Sequence, residues 1–312
     1  ETLGFDNVLL PSGYTAGIET TAFGAAIAAV TSRIRLLMAV RVGEMWPPQL
    51  ARQIATIDRI AGGRLTINII SSDLPGQSMP SAPRYGRTTE AIAILRALLA
   101  GEGIDHQGEH YQLKLGPPDV RPLAGRAPPF YFGGLSEDAR ECAAAGADVY
   151  LMWPDVETEV AAIIADMRAR AAAHGRTLRF GYRAHVIVRD TEDAARAAAA
   201  RLVSRLDDAE GERIKSLGLH ATAVGTARQE ALRHGADGEG YAERHLWTGI
   251  GRARSGAGAA IVGDPDQVLA KLQAYQALGI EAFILSGYPH AAEADLFARH
   301  VLPRLAHGPL SL

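Results

Sequence analysis

Leu278-Gly279-Ile280-Glu281-Ala282-Phe283-Ile284-Leu285-Ser286-Gly287-Tyr288-Pro289-His290 (LGIEAFILSGYPH) passes from the end of a helix, through a glycine stop, into an apolar strand and out through a turn. The same order recurs along the chain. Short β-branched or aromatic runs at 5–10, 34–40, 65–70, 129–133, 148–153, 179–188 and 281–286 are the expected strands. Ala-rich periodic stretches at 47–61, 84–100, 136–145, 157–174, 192–207, 265–278 and 291–305 are the expected helices. Strands alternating with helices imply parallel pairing through crossover connections. The opening ETLGFDNVLLP reads as the last turn of a helix, a Gly stop and a strand, so a further β/α unit is expected ahead of Glu1. Eight such units close a barrel, and the predicted fold is an α/β (β/α)8 TIM barrel forming one domain over 1–312. No GxGxxG follows a first strand, which argues against an open dinucleotide-binding sheet.

Composition narrows the function. Of 312 residues 47% are hydrophobic, enough for a sizeable core. A formal charge of −3 gives no electrostatic footprint for nucleic acid. The one cysteine, Cys142, excludes an internal disulfide framework and a cysteine-based zinc site, and a cytoplasmic location fits best. No run approaches the ~20 apolar residues of a membrane span, and no basic-then-apolar leader opens the chain.

Residues 209–258 break the rhythm with Gly, Arg, His and Ala, and are expected to form an inserted lid or a surface loop without a role. In a β/α barrel the chemistry lies at the C-terminal ends of the strands. There the final strand delivers Ser286, Tyr288 and His290. A turn explains Gly287 and Pro289 but requires neither ring. Alternation in RFGYRAHVIVRD puts Phe180, Tyr182, Ala184, Val186 and Val188 on one face, leaving Arg183 and His185 to point inward. An inward guanidinium needs a carboxylate partner or an anionic ligand.

YFGGLSEDA (131–139) ends a strand at Gly133-Gly134 and opens a helix at Ser136, which suits either a phosphate or an ordinary cap. Arg252 and Arg254 lie in the Gly-rich GRARSGAG, and Ser71, Ser72 and Asp73 close another strand. Trp153 walls a pocket or fills the core. There is no HExxH, no His/Asp/Glu cluster at ligand spacing and no GxSxG. Arginine, imidazole, phenol and backbone N–H groups without a nucleophile suit charge stabilisation and proton handling around a cofactor.

Taken together, ARQIATIDRIAGGRLTINI, FYFGGLS, RFGYRAHVIVRDT, AAAHGR, GAGAAIVGD and LGIEAFILSGYPH resemble the bacterial luciferase-like flavin monooxygenases. The nearest group is the alkanesulfonate monooxygenases that use reduced FMN (FMNH2). That resemblance implies a barrel, a flavin delivered by a separate NAD(P)H-dependent reductase, O2 as co-substrate and a homo-dimer or tetramer. It also implies cleavage of a C–S bond in an organosulfonate, alkyl or a sugar sulfonate such as sulfoquinovose, to sulfite and an aldehyde. Matched by position, Arg183, His185, Tyr288 and His290 are the implied catalytic set, with Arg254 from the lid. Trp153, Arg183 and Arg254 are implied substrate contacts, and Ser71, Tyr85, Gly134 and Ser136 lie near the flavin, with no metal. The family's first strand and one active-site histidine fall ahead of Glu1. SGYTAGIE lacks the family's cysteine, and SSDLPGQSMPSAPRYGR replaces a longer segment, so a simple alkyl substrate is not fixed. The alternatives are a deazaflavin-dependent dehydrogenase on the same barrel and a monooxygenase of a sulfone or an aldehyde.

Overall fold

A computed structural model of the chain describes residues 1–14, 16–216, 223–254 and 256–310. Six parallel strands run side by side in the order β1 (Asn7–Leu10), β2 (Arg35–Arg41), β3 (Leu65–Ile70), β6 (Phe130–Phe132), β7 (Val149–Met152) and β8 (Arg179–Val188). A seventh, β12 (Ala282–Ser286), pairs in parallel with β8. Helices α2 (Pro47–Ile60), α3 (Ser81–Ala100), α4 (Glu137–Gly146), α5 (Glu157–Ala173) and α9 (Pro265–Leu278) supply the crossovers, and α10 (His290–His300) follows β12. This is the expected β/α barrel. The seven strands lie where the sequence rhythm puts them, within two residues at each end.

Alternation decides what faces what. Leu36, Met38 and Val40 of β2 join Phe180, Tyr182, Ala184, Val186 and Val188 of β8 in the large cluster that also takes residues of α2, α3, α5 and α9. Leu37, Tyr131 and Val149, with Leu9, Ala282 and Ile284, form a separate small cluster inside the barrel. The helix boundaries have local causes. Helix α9 begins with Asp264 and Gln267 in a reciprocal capping box and Pro265 in its first turn. It ends on Gly279 at φ +112°, a left-handed stop that leads straight into β12.

Two features depart from the simple barrel. First, β8 is ten residues long and the sheet divides along it. Gly181–His185 pair with β12, whereas His185–Val188 pair with β11 (Ala260–Gly263). Strand β11 continues antiparallel into β10 (Leu246–Trp247) and β9 (Tyr241–Glu243). Second, β1 and β12 end the run without a ladder between them among the described residues. A cavity of about 570 Å³ opens along that seam and reaches Arg183, Ser286 and His290.

The inserted segment holds more regular structure than its Gly/Arg composition predicts. It contains most of α7 (Asp208–Ser216), all of α8 (Val224–His234), β9 and β10. Helix α8 (VGTARQEALRH) is rich in good helix formers but lacks a clear apolar stripe, so propensity, not periodicity, was the available signal. Residues 217–222, Ser255 and Thr15, which belong to the expected lid and to SGYTAGIE, lie outside the described residues. Helix α6 (Glu192–Val203) stops short of the expected Asp207. Helix α1 (Thr20–Val30) and the hairpin β4 (Ile104–Gln107)–β5 (Gln112–Leu115) were not expected. Side-chain caps and turns define them more than hydrophobic pattern does.

Candidate functional site

The division of the sheet at β8 creates the site. Because β11 pairs with the distal half of β8, the backbone ahead of it runs past His185, whose N–H donates to Ala259 O at 3.0 Å. That path carries Arg254 to the mouth of the barrel. There Arg254 Nη1 donates to Tyr288 Oη at 2.9 Å. The Tyr288 ring stacks on His185 at 5.1 Å and 27°, and meets His290 edge-on at 5.1 Å and 87°. Four of the five catalytic candidates are therefore in one chain of contacts. Arg183, two residues before His185 on the same face of β8, is the fifth.

The electrostatics are one-sided. Arg183 borders the seam cavity, yet its Nε is buried without a hydrogen-bond partner. Burial is the main influence on it, reinforced by the Arg254 charge, and together they bring its pKa down to about 10. It stays cationic at neutral pH. His185 is buried, and desolvation followed by the Arg254, Arg183 and His290 charges pushes it down to about 3. Neither ring nitrogen makes a well-formed hydrogen bond, although the Ala257 carbonyl lies close enough to favour the proton weakly. Arg254 Nε and Ser286 Oγ are also buried and unpaired. No acidic side chain pairs with Arg183 or Arg254 among the described residues. Buried donors left without acceptors are costly, a cost that an anionic or polar ligand would relieve.

The cofactor candidates occupy the next part of the mouth, beyond β3 and β6. Gly134 sits at φ +154°, and a Cβ there would come 2.7 Å from Ala139 Cβ and 3.4 Å from Tyr85 Oη. Its carbonyl accepts from Tyr150 Oη at 2.5 Å. The Tyr85 ring packs edge-on against Phe132 at 6.2 Å. Ser136 caps α4, its Oγ accepting from Ala139 N at 3.3 Å. Ser71 Oγ lies 2.9 Å from Thr88 Oγ1, so it faces α3 and not the barrel axis. Two other candidates are spent on structure. Arg252 donates to Leu206 O at 2.9 Å and pairs with Asp208, and Asp73 pairs with Arg84.

Trp153 lies beneath the inserted segment. Cβ atoms on Gly225 and Gly256 would come within 3.0 and 3.6 Å of its ring, so both backbones rest on the indole. Sequence reasoning missed what holds that segment down. Asp155, buried after β7, takes a bidentate pair from Arg228 at 2.6 and 2.7 Å. Gln229 donates to Pro154 O at 2.7 Å, and its Oε1 accepts from Gly258 N at 3.0 Å. Helix α8 thus ties the turn after β7 to the loop bearing Arg254. Also missed was Arg41, the last residue of β2, which alternation with Leu37 and Ala39 turns inward. The signal that singled out Arg183, a cation on the inward face of an apolar strand, was present in RLLMAVR as well.

The sequence that builds this barrel, including the Arg-x-His strand, matches a known family model. The model for luciferase-like monooxygenases matches residues 1–282. The chain belongs to that family. It is 64% identical over 316 residues to a sulfoquinovose monooxygenase of Novosphingobium aromaticivorans, covering 99% of this chain and 87% of that protein. It is 50% identical to a sulfoquinovose monooxygenase of Agrobacterium fabrum, covering 98% of this chain and 80% of that one. Among solved structures, the EDTA monooxygenase of Chelativorans sp. BNC1 superposes with a TM-score of 0.80 at 19% identity, over 97% of this chain and 82% of that one. At this identity the likeness establishes the fold alone. No helix among the described residues is long and apolar enough to cross a membrane.

Proposed function

We propose that this chain is a two-component flavin monooxygenase that cleaves the C–S bond of an organosulfonate, with a sugar sulfonate of the sulfoquinovose type as the favoured substrate. The observation that carries the proposal is the pair of half-buried cations Arg183 and Arg254, each with a buried unpaired Nε and with no acidic partner among the described residues, beside an imidazole and a phenol. A sulfonate is a compact oxyanion that accepts several N–H bonds, and guanidinium forks suit it. The names of the relatives at 64% and 50% identity point to the same substrate class.

The residues around Gly134 fit a flavin. A backbone glycine that a Cβ would crowd, Tyr85 beside it and the start of α4 form a cradle for a phosphate and its ribityl chain. When bound, reduced FMN supplies two electrons to O2, which provides the inserted oxygen. The overall balance is R–CH2–SO3⁻ + O2 + FMNH2 giving R–CHO + SO3²⁻ + H⁺ + H2O + FMN. Arg183 and Arg254 hold the sulfonate and steady the doubly charged sulfite as the C–S bond breaks. His185 is kept neutral by burial and by the Arg254 and Arg183 charges, so it stands beside the sulfonate as a polar, uncharged ring. Tyr288, whose hydroxyl accepts from Arg254 and whose ring lies against both imidazoles, is the candidate to move a proton at its Oη. The backbone at Gly225 and Gly256 covers Trp153 and would keep water from the reacting centre.

The test is sulfite release. Purified protein with FMN, an NAD(P)H-dependent flavin reductase and O2 is expected to release sulfite from sulfoquinovose faster than from alkanesulfonates of two to ten carbons. Turnover should require the reductase. Absence of sulfite with every sulfonate, or full activity with NADPH alone, would overturn the proposal.

A further inference from the structure

The ion pair of Arg189 and Glu293 stands at the rim of the site, and the function above does not use it. Glu293 lies in the first turn of α10, three residues after His290, and its N–H donates to Pro289 O at 3.0 Å. Its side chain is only 6% exposed. Its carboxylate accepts two bonds from Arg189, Nη2 to Oε1 at 2.6 Å and Nη1 to Oε2 at 3.0 Å. Arg189 directly follows β8, four residues after His185. Its Nη1 also donates to Val188 O at 2.7 Å, and its backbone N–H donates to Gly263 O, at the end of β11, at 3.3 Å. The ion pair therefore joins the ends of β8 and β11 to the start of α10.

Between those two anchors runs the turn that carries Tyr288. Ser286 sits opposite His185 in the register of β12 on β8, and Gly287, Tyr288 and Pro289 lead from there into α10. A Cβ on Gly287 would collide with Glu293 Cβ and meet Val186 O at 3.3 Å, so the turn is pressed between α10 and β8. The place of the Tyr288 ring on His185 is thus set at one end by the strand register and at the other by the ion pair. An acid in the first turn of a helix is ordinary, because it meets the positive end of the dipole. That role requires neither burial nor a guanidinium fork. A buried ion pair adds little stability over an apolar pair of the same shape, whereas a two-bond fork fixes distance and angle together.

We propose that Arg189 and Glu293 are positioning residues that clamp α10 onto β8 and so hold the Tyr288 hydroxyl in place beside His185 and the substrate. The proposal rests on the role given to Tyr288 above. Its first test needs no turnover. In protein carrying isotope-labelled histidine, the stacked Tyr288 ring shifts the NMR signal of the His185 ring C–H, and Tyr288→Leu removes that shift. Glu293→Gln is expected to move the signal toward its Tyr288→Leu position, and an unmoved signal overturns the clamp. The second test is a double-mutant cycle on sulfite release. Glu293→Gln should lower kcat by about tenfold or more in the wild-type background but by less than about twofold in Tyr288→Phe, since misplacing a hydroxyl has no effect once it is gone. Equal losses in both backgrounds would make the pair a structural tie and overturn the proposal. Should Glu293→Gln fail to fold, Arg189→Lys, which keeps the charge and loses the fork, takes its place in both tests with the same expectations. A wild type that releases no sulfite overturns the function proposed above, and the histidine signal then decides the clamp by itself.

Discussion

Arg254 and Tyr288 are 34 residues apart and come from a loop and a turn that share no regular element, yet the guanidinium donates to the phenol at 2.9 Å. The contact exists because β11 and β12 both pair with β8, one beyond the other, so the chain before β11 and the chain after β12 converge over His185. Arg254 thus contributes charge at the end opposite its anchor, with Nε still unpaired for a ligand.

Arg254→Ala removes that charge without touching the cradle around Gly134, Tyr85 and Ser136. Sulfite release is expected to fall by at least about 10²-fold, as for other lost contacts to developing charge, while the affinity for FMNH2 changes less than about threefold. Measured together by steady-state sulfite assay and anaerobic titration, near-normal sulfite production would remove the role assigned to this arginine.

Tyr288→Phe keeps the stack on His185 and loses only the hydroxyl. If the phenol carries a proton, kcat should drop by about 10²-fold with KM for the sulfonate nearly unchanged. A rise in KM alone would mean that Tyr288 serves only to hold Arg254. The split between the two constants decides the matter.

Much of this arrangement was legible in the sequence, and the illegible part has a consistent character. Periodicity 2 in RFGYRAHVIV fixed the inward face of β8 because burial on the helix side leaves no other choice of register. The Gly279 stop and the apolar run after it placed β12 for the same reason. What alternation does not encode is the second partner of β8. β11 is a four-residue apolar run inside a Gly-rich stretch, and only the ladder to Ala260 reveals it. Helices α7 and α8 escaped because polar contacts hold them, such as Arg228 to Asp155, between residues 73 positions apart. Ser71 and Ser136 were recognisable as strand-end and helix-start hydroxyls. That Ser71 turns toward Thr88 depends on the packing of α3, which no local pattern reports.

Gln229 tests whether the polar anchor positions the mouth or merely fastens the surface. Replacing it by Leu strands the Gly258 N–H and the Pro154 carbonyl, each at a cost of about 1–3 kcal/mol if they remain buried. The loop carrying Arg254 should then open more often. Amide exchange at Gly258 is expected to quicken, with KM for the sulfonate rising more than FMNH2 affinity falls. Unchanged exchange at Gly258 would mean that another contact carries the anchor.

His185 makes a prediction about pH. Its folded pKa of about 3 lies below the ~6.5 of a free imidazole, because burial and the charges of Arg254 and Arg183 oppose the proton. Below about pH 6.5 the unfolded chain takes up a proton at this residue that the folded chain refuses. The contribution to stability is therefore complete above that pH and lost progressively as pH falls toward 3, at about 1.4 kcal/mol per unit. His185→Gln, which is neutral throughout, should remove this slope and leave the others. Urea midpoints for the two proteins at pH 7 and pH 5 give the comparison, and the gap between them should narrow or reverse at the lower pH. Parallel losses in both would place the imidazole in water or beside an acid, and would undo the account of why it stays neutral.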